Sequence, residues 1–407
     1  MAKFGLIGKT LKHSYSKKIH PLLGDYSYQM IELLPEQVGE FVKSGYLDGF
    51  NVTIPYKKDV IPFLDVVDER AKKIGAVNTI VKKDGKLMGF NTDFDGMRYM
   101  LSRAGIDLKD KNVLILGSGG TSNTSRAVAE FLGAKKISTL SRTGEINYEN
   151  YKIKAKDSQV IINTTPVGMY PDNYNCLIDL SVFPGLIGVA DVVYNPATTM
   201  LLYQAKNLGV KYTNGFPMLV AQAKYAMELF LDKSVSDDVI EPIIKTLSAE
   251  NQNVILVGMP GSGKTTIGKA LAEKLNKEFI DTDHEIERRE NRTIPEIFAS
   301  SGEEYFRKVE SQVLKDVGKL AGKIISTGGG VIKNKDNYFP LMQNGKIFWI
   351  DRKVESLVTD GRPLSKDLET VKKLYLERKD NYAFFADAVI KNDTAVEDAV
   401  KGVVDLL

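Results

Sequence analysis

The chain has 407 residues, 55 basic and 52 acidic, giving a formal net charge of +3. That length exceeds what one hydrophobic core organises, so two or three domains are expected. The near-balanced charge excludes nucleic-acid or membrane-surface binding by bulk positive potential, and leaves small anionic ligands open. A single cysteine, Cys176, excludes an internal disulfide and predicts a reducing, cytoplasmic compartment. The opening run MAKFGLIGKT enters a strand without a signal-peptide core, and no apolar stretch is long enough to span a bilayer.

Strand-like and helical segments alternate throughout, which predicts an α/β protein with parallel sheets. The first 100 residues carry strands at Lys3–Gly8, Gln29–Leu33, Gly49–Thr53 and Thr79–Lys83. Polar residues gather at their ends: Ser14 and Ser16 in LKHSYSKKIHP, Asn51 and Thr53 in GFNVTIPYKK, Asn78 in GAVNTI and Asp93 in GFNTDFDG. Reduction of a ketone needs a proton donor beside the forming alkoxide. Lys57 is the candidate donor and Asp93 the carboxylate that orients it, whereas the neighbouring Lys58 reads as a surface lysine.

Residues 111–129 then run strand, glycine-rich turn, helix, with Gly117, Gly119 and Gly120 in the turn. Ser122 occupies the third glycine position of a dinucleotide fingerprint, so this turn alone is a weak signal. The next strand, Lys136–Leu140, ends in Ser141-Arg142-Thr143. An NAD enzyme keeps an acid there for the ribose hydroxyl; an arginine flanked by hydroxyls suits the 2′-phosphate of NADP.

Residues 234–247 read as a closing amphipathic helix, and 248–252, polar and aperiodic, as a linker. A second strand–turn–helix unit follows, carrying the full pattern G-x-x-x-x-G-K-T from Gly258 to Thr265. Its glycines let backbone N–H groups wrap phosphate, Lys264 reaches the β- and γ-phosphates, and the Thr265 hydroxyl ligates Mg²⁺. Gly261, Ser262, Gly263 and Thr266 complete the expected nucleotide contacts. Asp281 and Asp283 close the strand FIDTD, where alternation points them apart and predicts two different jobs. Arg307, the glycines 328–330, Arg362 and Arg378 follow.

From about residue 252 to 407 the sequence resembles shikimate kinase. The phosphate loop, D-T-D, F-R-x-x-E, G-G-G, R-P-L and an arginine ahead of a tyrosine occur in order. The resemblance implies that Asp283 holds the acceptor hydroxyl and takes up its proton, and that Asp281 helps hold Mg²⁺. It implies that Arg307 and Arg378 clamp the shikimate carboxylate and that Gly329 and Gly330 meet the substrate through backbone. Arg362 would neutralise phosphoryl charge from a lid. One departure stands out: no extra basic residue precedes R-P-L in 355–361.

Residues 3–247 resemble shikimate dehydrogenase. The matching motifs are S-x-S, N-V-T-x-P-x-K, A-V-N-T, N-T-D-x-x-G, G-x-G-G, S-R-T, N-T-T-P-x-G-M, Y-N-P and M-L-x-x-Q-A. This implies Ser14 and Ser16 on the carboxylate of 3-dehydroshikimate, and Thr53, Asn78, Asp93 and Gln222 on its hydroxyls. Tyr194 would line the site. Thr164 and Gly215 would face the cofactor, with Ser141 standing where the family usually has Asn. The three histidines, His13, His20 and His284, read as structural or surface residues.

The expected architecture is a substrate lobe (1–100, closed by helices from 217–247), a Rossmann-like NADP domain (101–216), a linker (248–252) and a P-loop kinase domain with a parallel sheet (253–407). The expected activity is NADPH-dependent reduction of 3-dehydroshikimate, then ATP- and Mg²⁺-dependent phosphorylation of shikimate. Expected partners are small molecules, with no nucleic acid and no membrane. The alternative is a quinate/shikimate dehydrogenase fused to a kinase-like binding module.

Overall fold

The computed structural model describes residues 2–12, 14–357 and 368–407. It divides into two compact units, Met1–Lys245 and Thr246–Leu407.

The first unit opens with a six-stranded sheet. Its strands are β1 (Lys3–Gly8), β2 (Ser27–Glu32), β3 (Gly49–Val52), β4 (Val66–Val67), β5 (Thr79–Lys83) and β6 (Lys86–Phe90), in the order β2-β1-β3-β5-β6-β4. Ile7, Phe50, Val52 and Ile80 bury one face against Val38, Val42 and Tyr56. The pairing in this lobe is mixed, because β5 runs antiparallel to both β3 and β6. The cause is local. Asp84 and Gly85 join β5 to β6 with φ of 50° and 75°, the two positive values that a tight hairpin turn needs and that Asp-Gly supplies.

The second sheet holds β7 (Asn112–Leu116), β8 (Lys136–Leu140), β9 (Val160–Asn163), β10 (Gly188–Asp191) and β11 (Lys211–Thr213). Its order is β11-β10-β9-β7-β8, parallel throughout. Residues 113–116 and 160–162 are buried apolar runs, as strands covered on both faces must be. The chain leaves β7 for β8 on one side and returns to β9 on the other. This makes the β7/β9 carboxyl ends the crevice where such sheets bind ligands. The helices Asp93–Arg103 and Phe216–Leu231 pack together where Gly96 lets backbone approach; a Cβ there would lie 2.7 Å from the Met218 carbonyl oxygen. Phe230 stacks on Phe4 at 4.7 Å, so the late helix packs on the first sheet.

The expected linker at 248–252 is mostly helix, because the helix Ile240–Asn251 runs through it. Ser, Ala and Glu are acceptable helix formers, and Lys277 Nζ satisfies the terminal carbonyls of Ala249, Glu250 and Gln252 at 2.8, 3.2 and 2.8 Å. Only Gln252 separates this helix from the next strand.

The second unit is built on β12 (Asn253–Val257), β13 (Glu278–Asp281), β14 (Lys323–Ser326), β15 (Gly345–Asp351) and β16 (Ala388–Lys391). These form a parallel sheet ordered β13-β14-β12-β15-β16. Val254, Leu256, Ile324, Phe348 and Ile350 pack against Ile267 and Leu271 of the helix Lys264–Leu275. The loops leaving the carboxyl ends of β12, β13, β14 and β15 therefore converge on one rim. Among the described residues no helix is long and apolar enough to cross a membrane.

Candidate active sites

In the first unit Lys57 Nζ lies 2.5 Å from Asp93 Oδ2. Asp93 is the first residue of its helix, where the dipole favours a carboxylate. Asn78 Nδ2 donates to Asp93 Oδ1 at 3.0 Å, and Asn78 Oδ1 accepts from the Thr92 N–H at 2.7 Å. The amide is thus fixed in one orientation, and it fixes the carboxylate. Sequence reasoning assigned no role to the buried layer beneath: Tyr28 donates to Asn51 Oδ1 at 2.8 Å, and Asn51 Nδ2 donates to Thr79 Oγ1 at 3.0 Å.

Ser16 heads the helix Ser16–Leu23 and its N–H donates to Ser14 Oγ at 3.3 Å. Thr53 packs on Gly8 at the end of β1, where a Cβ would meet its methyl at 2.6 Å. Tyr194 sits edge-on to Tyr15 at 5.6 Å, and burial pushes its hydroxyl pKa up. Gln222 packs against Gly96, one turn beyond Asp93. His20 is buried, stacked on Tyr28 at 3.6 Å, and burial lowers its pKa to about 3, consistent with a structural role. His13 lies outside the described residues.

On the dinucleotide side Gly117 has φ 104°, and a Cβ would strike Thr165 Cγ2 at 2.8 Å and Thr164 Oγ1 at 3.0 Å. Gly119 and Gly120 face open space at the start of the helix Gly120–Phe131, which has no side-chain cap. That leaves bare amides where an anion fits. Thr164 Oγ1 is spent on the Leu116 carbonyl at 2.7 Å. Arg142 and Thr143 are exposed beside half-buried Ser141, and Arg142 forms no ion pair among the described residues. Gly215 also has a packing role. Its N–H goes to Val193 and its carbonyl to Leu219, and a Cβ would fall 2.0 Å from the Val192 oxygen. Its glycine is required by packing, and its N–H is taken, which leaves the second lone pair of its carbonyl.

A residue that sequence reasoning missed supports this crevice. Asp191, fully buried at the end of β10, accepts from Asn163 Nδ2 at 2.9 Å, Val193 N at 3.0 Å and Thr199 Oγ1 at 2.7 Å. Burial pushes its carboxyl up to about 6 against those three bonds.

The second unit holds a cavity of about 560 Å³, lined from the phosphate loop through Asp281, Asp283, Arg307 and residues 328–330 to Arg378. Lys264 Nζ donates to the carbonyls of Gly258 and Met259 at 2.9 and 3.0 Å. Thr265 Oγ1 donates to Asp281 Oδ2 at 3.0 Å, bringing together the two residues expected around Mg²⁺. Thr266 lines the same wall, with Gly261 and Gly263, and Ser262 lies buried between them. Burial, then the neighbouring Asp281, push the Asp283 carboxyl up to about 6, opposed by Lys264 and Arg307.

The three glycines each meet a different site residue. A Cβ at Gly328 would lie 2.7 Å from Asp283 Oδ1, at Gly329 2.6 Å from Pro260 Cδ, and at Gly330 2.4 Å from Arg307 Nη1. Arg307 is paired with Glu310 at 2.8 Å and Glu303 at 3.1 Å. Arg378 Nη1 donates to the Gly329 carbonyl at 3.2 Å, beside the Tyr382 hydroxyl at 2.6 Å. Glu310 was visible only as part of a motif; its burial was not. Arg362 lies outside the described residues.

The first unit is therefore an oxidoreductase scaffold, with a Lys–Asp pair near a dinucleotide crevice. The second is a P-loop kinase scaffold with Arg307 and Arg378 lining its cavity. Comparisons with known proteins narrow both. A family model for the shikimate dehydrogenase substrate binding domain matches residues 6–80, and one for shikimate kinase matches residues 260–407. The shikimate dehydrogenase (NADP(+)) of Alkaliphilus oremlandii is 37% identical over 273 residues, covering 60% of this chain and 96% of that protein. That of Methanococcus maripaludis is 36% identical, covering 56% and 91%. Among solved structures, a chorismate mutase/shikimate 5-dehydrogenase fusion protein from Clostridium acetobutylicum aligns with TM-score 0.57 and 36% identity, over 61% of this chain and 97% of that one. Shikimate 5-dehydrogenase from Thermus thermophilus, solved with NADP(H) and shikimate, aligns with TM-score 0.54 and 28% identity, covering 60% and 99%. The chain belongs to the shikimate dehydrogenase family through its first unit and carries a shikimate kinase domain in its second: it is a bifunctional shikimate-pathway enzyme.

Proposed function

We propose that the first unit reduces 3-dehydroshikimate to shikimate with NADPH, and that the second transfers the γ-phosphoryl group of ATP to the 3-hydroxyl of shikimate. The observation that carries this reading is the pairing of Lys57 with Asp93 at 2.5 Å in one unit and of Thr265 with Asp281 at 3.0 Å beside Asp283 in the other.

The open amides at Gly119 and Gly120 and the exposed Arg142 fit a dinucleotide phosphate chain and a 2′-phosphate. NADPH supplies the hydride. Lys57, held by Asp93, gives a proton to the oxygen that becomes the new hydroxyl. Asn78 and Asp93 fix the ring hydroxyls, with Thr53 and Gln222 nearby, while Ser14 and Ser16 bind the carboxylate.

Thr265 and Asp281 fit Mg²⁺, a hard cation that takes one or two protein oxygens and keeps its remaining waters. Lys264 exchanges its two carbonyl partners for phosphate oxygens. Asp283 accepts the proton of the attacking hydroxyl, and its raised proton affinity suits that task. Arg307 and Arg378 hold the carboxylate as planar forks, with the backbone of Gly329 and Gly330 against the ring. The role of Arg362 rests on the sequence resemblance alone.

One coupled assay tests the reading: supply 3-dehydroshikimate, NADPH and ATP·Mg²⁺, and follow NADPH absorbance and shikimate 3-phosphate. Both signals are expected. Greater kcat/KM with quinate and NAD than with shikimate and NADP, or no phosphorylated product, rejects it.

A further inference from the structure

Arg352 follows β15 on the rim of the kinase cavity, and the reading above gives it no task. It is half-buried and lines the cavity beside the phosphate loop. Its Nη1 reaches the Gly261 carbonyl only at 3.5 Å, and its Nε is buried with no hydrogen-bond partner in the structure. The adjacent carboxylate does not serve it. Asp351 is taken by Lys391 at 2.5 Å and by the Tyr375 hydroxyl at 3.2 Å. Arg352 forms no ion pair among the described residues.

A half-buried guanidinium without a counter-ion is costly, and the cost is relieved when an anion arrives. Arg352 lines the cavity together with Gly261, Gly263 and Lys264 of the phosphate loop. Arg378, whose bond is to Gly329, stands on the acceptor side.

We propose that Arg352 is a nucleotide ligand whose guanidinium leaves the Gly261 carbonyl to bind the phosphate chain of ATP or ADP. This rests on the kinase reading for the second unit but not on the identity of the acceptor. The full-length protein carries its own reporter: Trp349, the only tryptophan, stacks on Tyr382 at 5.6 Å, and Tyr382 bonds Gly329. Fluorescence titrations with ADP·Mg²⁺ and, separately, with shikimate should be made on the wild type, Arg352→Ala and Arg352→Lys. Arg352→Ala should weaken ADP about tenfold, the loss expected for one charge-assisted hydrogen bond. Arg352→Lys should lose less, because it keeps the charge without the fork. The dissociation constant for shikimate should stay within about twofold of wild type in both. ADP binding to Arg352→Ala within about twofold of wild type overturns the proposal. So does a joint loss of ADP and shikimate affinity with a lowered melting temperature, which would make Arg352 a brace for the loop. A wild type that binds ADP but does not phosphorylate shikimate removes the acceptor assignment, and leaves Arg352 judged by the same titrations.

Discussion

Glu310 holds Arg307 at 2.8 Å from one turn further along the helix Ile294–Val317, while its second oxygen is buried with no hydrogen-bond partner in the structure. Burial pushes its carboxyl pKa up and Arg307 pulls it down. The pair therefore aims the guanidinium at the cavity rather than merely stabilising the helix. Glu310→Gln keeps the shape and removes the charge. It should raise the KM for shikimate about tenfold, the worth of one charge-assisted contact, with the KM for ATP little changed. Glu310→Ala should also lower stability, because it leaves the partly buried Arg307 only the more exposed Glu303 as a partner. Steady-state kinetics and thermal melts separate the two effects. An unchanged shikimate KM in Glu310→Gln would show that Arg307 needs no such aim.

Lys57→Ala should lower the dehydrogenase kcat by about a hundred- to ten-thousand-fold, the usual contribution of a positioned proton donor. Asp93→Asn should act in the same direction, since the amide cannot ion-pair with Lys57 and disturbs the bond from Asn78. Phosphorylation of added shikimate should persist in both variants, because the kinase cavity lies wholly within the second unit. Loss of both activities in a folded variant would reject independent sites.

On the proposed function, cofactor choice rests on Arg142. Its removal as Arg142→Ala should raise the KM for NADP about tenfold or more. The KM for NAD should barely move, since NAD has no 2′-phosphate. Parallel titration of both cofactors decides it. Equal effects on NADP and NAD would assign Arg142 to the shared part of the dinucleotide.

The local motifs were legible in the sequence, and the partnerships between distant residues were not. The phosphate loop could be read because its chemistry sits within eight consecutive residues, and Lys57 and Asp93 because the resemblance covered both. The glycines 328–330 read as bare backbone, but that each clears a different side chain is a fact of three-dimensional packing. The packing role of Gly215 was hidden for the same reason: its close approach to Val192 is invisible in a one-dimensional motif. The Asp84-Gly85 turn was a local signal overlooked in favour of the α/β alternation. Glu310, Asp191 and Arg352 matter through burial and through partners they have or lack, and spacing does not report burial.

Asp191 gives a pH dependence whose sign follows from burial. Its folded pKa of about 6 exceeds the ordinary carboxylate value of about 3.9, so the folded protein holds the proton more tightly than the unfolded chain. The stabilisation from that proton is complete below about pH 4 and is lost as pH rises through about 6, amounting to about 3 kcal/mol across the window. Asp191→Asn removes the titration. Its Oδ1 can still accept from Asn163 and Val193, and its new amide can donate to the Thr199 hydroxyl, so the site need not collapse. The difference in unfolding free energy between wild type and variant should therefore slope between about pH 4 and pH 6 and flatten above it. Paired denaturant titrations at closely spaced pH values measure that difference directly, and cancel every titrating group the two proteins share. A flat difference would mean that the three donors keep Asp191 ionised throughout, outweighing its burial.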